Sequence, residues 1–232
     1  MGDKLAVVIS LSGGLDSAVL CAALLQDHGP GRVSPVFFRY GSKHNPWEER
    51  AARSLASYFS LILEIVDMAN VFSGVSSVLM ANDNRTIPLA QYDTASMAQT
   101  VVPGRNLLFA SVLAALAESR GIPDVALATH GGDHHIYPDC RPEFNAALDR
   151  VIACSSDGKV RVITPFADIS KADIVARGLQ LGVPFHLTRS CYGAAETSCG
   201  ECGTCSERLS AFAANGAQDP VLYRKKLSPS FA

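Results

Sequence analysis

The sequence predicts an α/β fold, a doubly wound and mostly parallel sheet with a small helical appendage at its C-terminal end. Three observations carry this. Short apolar runs alternate with helical patterns through the first two-thirds of the chain. Those runs are continuous and rich in Val and Ile, as expected for strands covered on both faces. The helical stretches between them are long enough to return the chain to a parallel neighbour. With 232 residues, 48% of them hydrophobic, the chain can bury one substantial core and a small appendage.

Residues 4–11 read as the first strand and 16–27 as the first helix. Ala18, Leu20, Cys21, Ala22, Leu24 and Leu25 supply its buried side, and Gly29-Pro30-Gly31 ends it. Residues 33–40 are the second strand. Pro46 opens a helix over 47–59, with Glu48, Glu49, Arg50 and Arg53 on its wet face. A third strand falls at 61–66, an apolar helix at 106–120 and a fourth strand at 125–129. A helix at 142–153, a strand at 159–163 and a helix at 170–181 complete the alternation, and Gly182 and Pro184 close it. Residues 81–105 lack a period and read as a long loop or lid. Residues 219–232 read as a surface tail.

Composition narrows the classes of function. Twenty basic against 22 acidic residues leave a formal charge of −2, which argues against a nucleic-acid or membrane partner. No run approaches the roughly 18 apolar residues of a membrane span. The first apolar run is broken at once by Ser12-Gly13-Gly14 and Asp16, unlike a secretory signal. Ala6 stands where a myristoylation signal needs Ser or Thr. The expectation is a cytoplasmic protein. Of seven cysteines, four cluster between residues 191 and 205, a pattern of metal binding in a reducing compartment, not a disulfide framework.

In a parallel sheet, ligands bind beyond the carboxyl ends of the strands. The segments that matter are therefore 12–17, 41–45 and 130–141. The first, Ser12-Gly13-Gly14-Leu15-Asp16-Ser17, joins a strand to a helix. Two glycines let the backbone turn sharply, and the helix behind adds unpaired N–H donors and the positive end of its dipole. That is an anion cradle suited to phosphate, flanked by Leu11 and Ala18. Asp16 is placed either to cap the helix or to approach Mg²⁺. No Gly-Lys-Ser/Thr follows, so the loop is not of kinase type.

Cys191, Cys199, Cys202 and Cys205 let the chain wrap one ion, with Gly193, Gly200 and Gly203 supplying tight turns. Four thiolates suit a closed structural Zn²⁺ site, and they also suit an iron–sulfur cluster. Residues 206–215 form a last helix beside this knot. The chain divides into a phosphate-loop part, 1–185, and a metal-binding segment, 186–232. His130, Asp133, His134 and His135 invite a second metal, but adjacent histidines point in different directions.

The string SGGLDS resembles the signature of the PP-loop ATP pyrophosphatases, of adenine nucleotide alpha hydrolase-like fold. These enzymes grip the β,γ-pyrophosphate and transfer AMP to a substrate oxygen. Lys171 is similar to the family's second phosphate-contacting lysine; without the resemblance it reads equally as a solvated lysine. Further strings narrow the match: VVPGRN at 101–106, YPDCRPEF at 137–144, LTRSCY at 187–192 and CGECGTC at 199–205. In order, from about Leu5 to Phe212, they resemble the 7-cyano-7-deazaguanine synthase family, QueC.

The resemblance implies conversion of 7-carboxy-7-deazaguanine, ATP and ammonia into a nitrile, in queuosine and related biosynthesis. ATP adenylates the carboxylate, ammonia displaces AMP, and a second ATP activates the resulting amide. Mg²⁺ shields the triphosphate, the knot holds zinc, and relatives suggest a homodimer. Arg105 and Asn106 are expected on the nucleotide phosphate or the substrate, with Asp139 and Arg141 on the substrate; Asp139 and Arg141 read equally as a pair at a helix start. Asp133 lies in the same substrate-facing loop and is, with Lys171, a catalytic candidate. Lys43 and His44 are candidates for phosphate binding or proton handling, where Ser42-Lys43 departs from the family's Gln-Arg pair. Three rivals remain: an enzyme that stops at the amide, a tRNA-modifying relative, and one that modifies a protein.

Overall fold

The computed structural model describes residues 5–89 and 94–225. Five strands, β1 (Val7–Ser10), β2 (Val33–Arg39), β3 (Glu64–Asp67), β4 (Asp124–Ala126) and β5 (Arg161–Ile163), form one sheet in the order β3-β2-β1-β4-β5. Every pairing is parallel. The helices are α1 (Leu15–His28), α2 (Asn45–Tyr58), a single turn α3 (Thr94–Met97), α4 (Arg105–Arg120), α5 (Pro142–Ser155), α6 (Lys171–Gln180) and α7 (Gly203–Ala214). All the strands and helices expected from the sequence are present, with ends that differ by a few residues.

Successive residues of a strand point to opposite faces, and the core divides accordingly. Val7, Ile9 and Phe37 pack beneath α1, α2, α6 and α7 in one cluster. Val8, Val36, Phe38 and Val125 pack beneath α4 and α5 in the other. Both faces of the central strand β1 are covered, so it reads as a continuous apolar run, whereas the edge strands β3 and β5 carry charged, partly exposed residues. Ala211 and Phe212 of α7 belong to the first cluster, and burying a Phe side chain is worth about 1.5–3 kcal/mol. The metal-binding end is therefore anchored in the main core.

Three expectations need correcting. The stretch Ala98–Arg120 is long and apolar enough to cross a membrane by length and composition. Its Phe109, Ala110, Leu113 and Ala117 are instead buried against the sheet, as in the core helix of a globular fold. The region after 81 is not all loop, because α3 and a tight turn over Ala98–Thr100 lie within it; residues 90–93 are outside the described residues. The tail is not a plain surface segment. Asp219 is buried on Arg208 at 2.7 Å, and the Arg224 and Lys225 N–H groups donate to the carbonyls of Ser198 and Cys199. Residues 226–232 are outside the described residues.

Candidate active site

Between β1 and α1 the chain turns through Gly13, at φ +82°. A Cβ there would lie 2.4 Å from the Glu48 carbonyl oxygen, so only glycine fits between the loop and α2. The Arg189 N–H donates to the Gly13 carbonyl at 2.8 Å. Ser12 Oγ accepts the Gly14 N–H and lies 3.1 Å from Ser17 Oγ. The first intrahelical bond runs from the Ala18 N–H to the Gly14 carbonyl. The N–H groups of Leu15, Asp16 and Ser17 thus have no acceptor within α1, at the positive end of its dipole. Leu11 and Ala18 are fully buried beneath the loop.

The loop opens into a cleft of about 210 Å³ whose walls include Ser12, Gly14, Asp16, Tyr40, Glu48, Arg105, Asn106, Asp133, Lys171, Arg189, Tyr192 and Glu207. It sits at the carboxyl ends of β1, β2 and β4. Here β1 is flanked by β2 and β4, so consecutive crossovers run to opposite sides and leave a crevice between them.

Lys171 reaches across to Asp16 at 2.7 and 2.9 Å and to Glu207 at 3.4 Å. Asp16 therefore does not cap its helix. Burial alone would raise its pKa, but the Lys171 ammonium and its hydrogen bonds hold the carboxyl below the ordinary range. Burial opposes the charge of Lys171, yet Asp16, Glu207 and Asp133 together raise its pKa, so it stays an ammonium. One ammonium does not balance three carboxylates. Burial, with Asp133 and Asp16 nearby, pushes Glu207 up to about 7 against the pull of Lys171.

His130, Asp133 and Glu207 place one donor atom each within 4.8 Å of one another. The Gly132 N–H donates to His130 Nδ1 at 3.1 Å. The neutral ring then carries its proton on Nε2, 3.3 Å from Asp133 Oδ2, and offers no lone pair there to a metal. Burial and Lys171 lower the His130 pKa and keep the ring neutral.

The site residues expected from the sequence divide into two groups. The loop, Arg105, Asn106, Asp133 and Lys171 meet in the cleft. Lys43 does not line it; its ammonium donates to the Arg85 carbonyl at 2.8 Å. His44 is buried behind the wall, with Nε2 3.2 Å from the Tyr40 hydroxyl, and burial lowers its pKa to about 3, so the ring is neutral and is not an imidazolium acid. Asp139 and Arg141 do not pair with each other. The Asp139 carboxylate accepts the Asn106 N–H at 3.0 Å, capping α4 from a distant loop, while Arg141 donates to the His134 carbonyl.

Sequence reasoning missed Glu48, Arg189, Tyr192 and Glu207. Glu48 read as a solvent-facing helix residue; the Asn45-Pro46 start rotates it into the cleft, with its side chain 16% exposed. Arg189 and Tyr192 lie within a string quoted only for its resemblance. Glu207 is far from the other acids in sequence, and only the packing of α7 on α6 unites them.

The four cysteines are buried together. Cys191 Sγ and Cys199 Sγ are 3.5 Å apart, Cys199 and Cys205 3.9 Å, and all four sulfurs lie within 4.8 Å of one another. Thiolates around a tetrahedral Zn²⁺, with Zn–S about 2.3 Å, stand about 3.8 Å apart. An iron–sulfur cluster spreads its four thiolates wider, since they are divided among two or four irons. The N–H groups of Gly193 and Cys199 point at Cys191 Sγ, and those of Glu201 and Cys202 at Cys199 Sγ, as donors to thiolates do. The donor set fits a single zinc ion. Gly200, at φ +79°, is the close approach that lets the tail cross; a Cβ would meet the Lys225 carbonyl oxygen at 1.6 Å. Ser190, Tyr192, Thr204, Glu207 and Arg208 interleave with the cysteines and form one wall of the cleft.

Comparison with known proteins agrees with this geometry. A family model described as "Queuosine biosynthesis protein QueC" matches residues 6–216. The 7-cyano-7-deazaguanine synthase of Caldicellulosiruptor bescii is 38% identical over 217 residues, 93% of this chain and 96% of the relative. That of Archaeoglobus fulgidus is 40% identical over 216 residues, 93% of this chain and 89% of the relative. The NMN synthetase of Francisella tularensis shares the fold, with a TM-score of 0.53, 16% identity and coverage of 93% of this chain and 79% of its own. The family match spans nearly the whole described chain, and two such relatives exceed a third in identity, so the chain belongs to the QueC family of queuosine biosynthesis proteins.

Proposed function

We propose that the protein converts 7-carboxy-7-deazaguanine, ammonia and ATP into 7-cyano-7-deazaguanine, as a carbon–nitrogen ligase that releases AMP and pyrophosphate. The observation that carries this is the glycine loop opening into one cleft with Lys171, Arg105 and Asn106. The free N–H groups at the start of α1 hold the β,γ-pyrophosphate, and Lys171 adds charge where the leaving group develops it. Arg105 lies across the cleft, its guanidinium over the Tyr40 ring, placed to hold the anionic substrate. The substrate carboxylate attacks the α-phosphorus, and pyrophosphate leaves. Ammonia then displaces AMP, and a second activation at the amide oxygen precedes loss of water as AMP and a proton.

Asp16, kept ionised beside the loop, would hold Mg²⁺ with the triphosphate, and the ion would screen phosphate charge. The four cysteines would hold zinc as a structural ion that fixes the wall carrying Tyr192 and Glu207. Under this reading residues 1–185 bind the nucleotide and 186–232 form the zinc segment, and the protein works as a cytoplasmic homodimer on small molecules. The Ser42-Lys43 departure lies outside the cleft lining.

Incubation with 7-carboxy-7-deazaguanine, ammonium, Mg²⁺ and ATP, read by mass spectrometry, tests the reading. Nitrile with AMP in twofold excess supports it. Amide alone moves the protein to a one-activation enzyme. No AMP release from folded, zinc-loaded protein defeats the small-molecule reading.

A further inference from the structure

The nitrogen nucleophile poses a problem that the phosphate chemistry leaves open. At neutral pH ammonia is mostly ammonium, which has no lone pair. A site that uses it must strip a proton inside the cleft, close to the activated carbon. Among the described residues, the cleft wall holds one carboxylate away from the Lys171 cluster, that of Glu48.

Resting on the function proposed above, we propose that Glu48 marks the ammonium site and is the base that deprotonates it. Glu48 belongs to the turn of α2 that packs on the glycine loop, since its own carbonyl faces Gly13. The nucleophile is thereby placed beside the nucleotide. Its carboxylate is held from behind: Asn45 Nδ2 donates to Oε2 at 3.3 Å, and His44 Nε2 stands 3.5 Å from Oε1. His44 stays neutral and fixes position without competing as a cation. Tyr40, just after β2, and Tyr192, beside the knot, line the same cleft as Glu48, and the guanidinium groups of Arg105 and Arg189 act on its carboxylate.

These neighbours favour the transfer. An ammonium ion entering between aromatic faces and a carboxylate is attracted. Once desolvated beside Arg105 and Arg189 it is disfavoured as a cation and becomes more acidic. Burial lifts the Glu48 carboxyl to about 7, against the pull of those arginines, so its basicity approaches that of the proton it must take. Ammonium gives one proton to the Glu48 carboxylate. The nitrogen lone pair then forms the C–N bond to the acyl carbon, and the bond from that carbon to the phosphate oxygen breaks, AMP leaving with the electron pair. The nitrogen sheds its second surplus proton to water.

The test separates the half-reactions on the whole, zinc-loaded protein. ATP–pyrophosphate exchange driven by 7-carboxy-7-deazaguanine reports adenylation, and amide formation reports the nitrogen step. Glu48→Gln should keep exchange near wild type and lose amide formation about 100-fold at neutral pH. The acid limb of the wild-type pH profile, near 7, should vanish with it. Hydroxylamine, a nucleophile already neutral at pH 7, should restore capture of the acyl-adenylate by the variant. Loss of exchange in step with amide formation would make Glu48 a structural residue and overturn the inference, as would an unchanged profile or no rescue. Absence of exchange in the wild type would instead sink the functional reading itself.

Discussion

The glycine loop and the cysteine knot face the same cleft and work in opposite ways. The loop is built around what it leaves unsatisfied: N–H groups at the start of α1 with no acceptor in the helix. The knot functions by leaving nothing open, with four buried sulfurs within reach of one ion and backbone N–H groups turned onto them. A phosphate site must stay incomplete until substrate arrives, whereas a structural metal site must be complete for the chain to fold around it. The two are coupled, since the Arg189 N–H from the knot side donates to Gly13 in the loop.

Breaking the knot should have the largest effect. Cys202→Ser removes one of four ligands, and structural zinc supplies of the order of 10 kcal/mol to small domains that depend on it. Zinc measured by mass spectrometry should fall from about one ion per chain toward none, and the melting temperature should drop by more than about 10 °C. Full zinc retention with unchanged melting would break the contrast.

Gly13→Ala should injure function more than fold. The added Cβ meets the Glu48 carbonyl oxygen at 2.4 Å in a backbone conformation that suits glycine. The strain costs about 1–3 kcal/mol, while the cradle loses its shape. Exchange activity should fall at least about 100-fold, with zinc content unchanged. If zinc is lost in parallel, loop and knot are one unit.

Glu48 sharpens the comparison through pH. Its raised carboxyl stabilises the fold while protonated, fully so below its ordinary value of 4.5, and that contribution is lost as pH rises through about 7. Wild-type stability to urea should therefore decline across this window, and Glu48→Gln should flatten the decline. An identical slope in both proteins would remove Glu48 from the account. The smallest effect belongs to the rim. Arg50 and Glu196 pair at 2.6 Å but are 67% and 66% exposed, so Arg50→Ala should change stability by less than about 0.5 kcal/mol in denaturant titrations.

Local rules reached a long way. Continuous Val- and Ile-rich runs identified the strands, and the central β1 and β2 among them are the buried ones. The SGGLDS turn identified its own cradle because every group that builds it lies within six residues. The cysteine spacing likewise described a site closed by one short segment. Lys171 was legible only through family resemblance, since no periodicity distinguishes it from a solvated lysine. Lys43 and His44 show the opposite error: side chains suited to chemistry that the turn into α2 directs away from the cleft.

The sequence by itself determined the layered fold, the glycine turn between β1 and α1 and the clustering of the four cysteines, because each is specified by neighbours along the chain. Tertiary structure alone decided which charged groups share a low-dielectric space. Asp16, Lys171 and Glu207 come from three separate helices, and Glu48 faces inward only because α2 begins where it does. Electrostatic energy depends on distance and burial. Neither can be read from spacing along the chain when the partners are brought together by the packing of α1, α6 and α7.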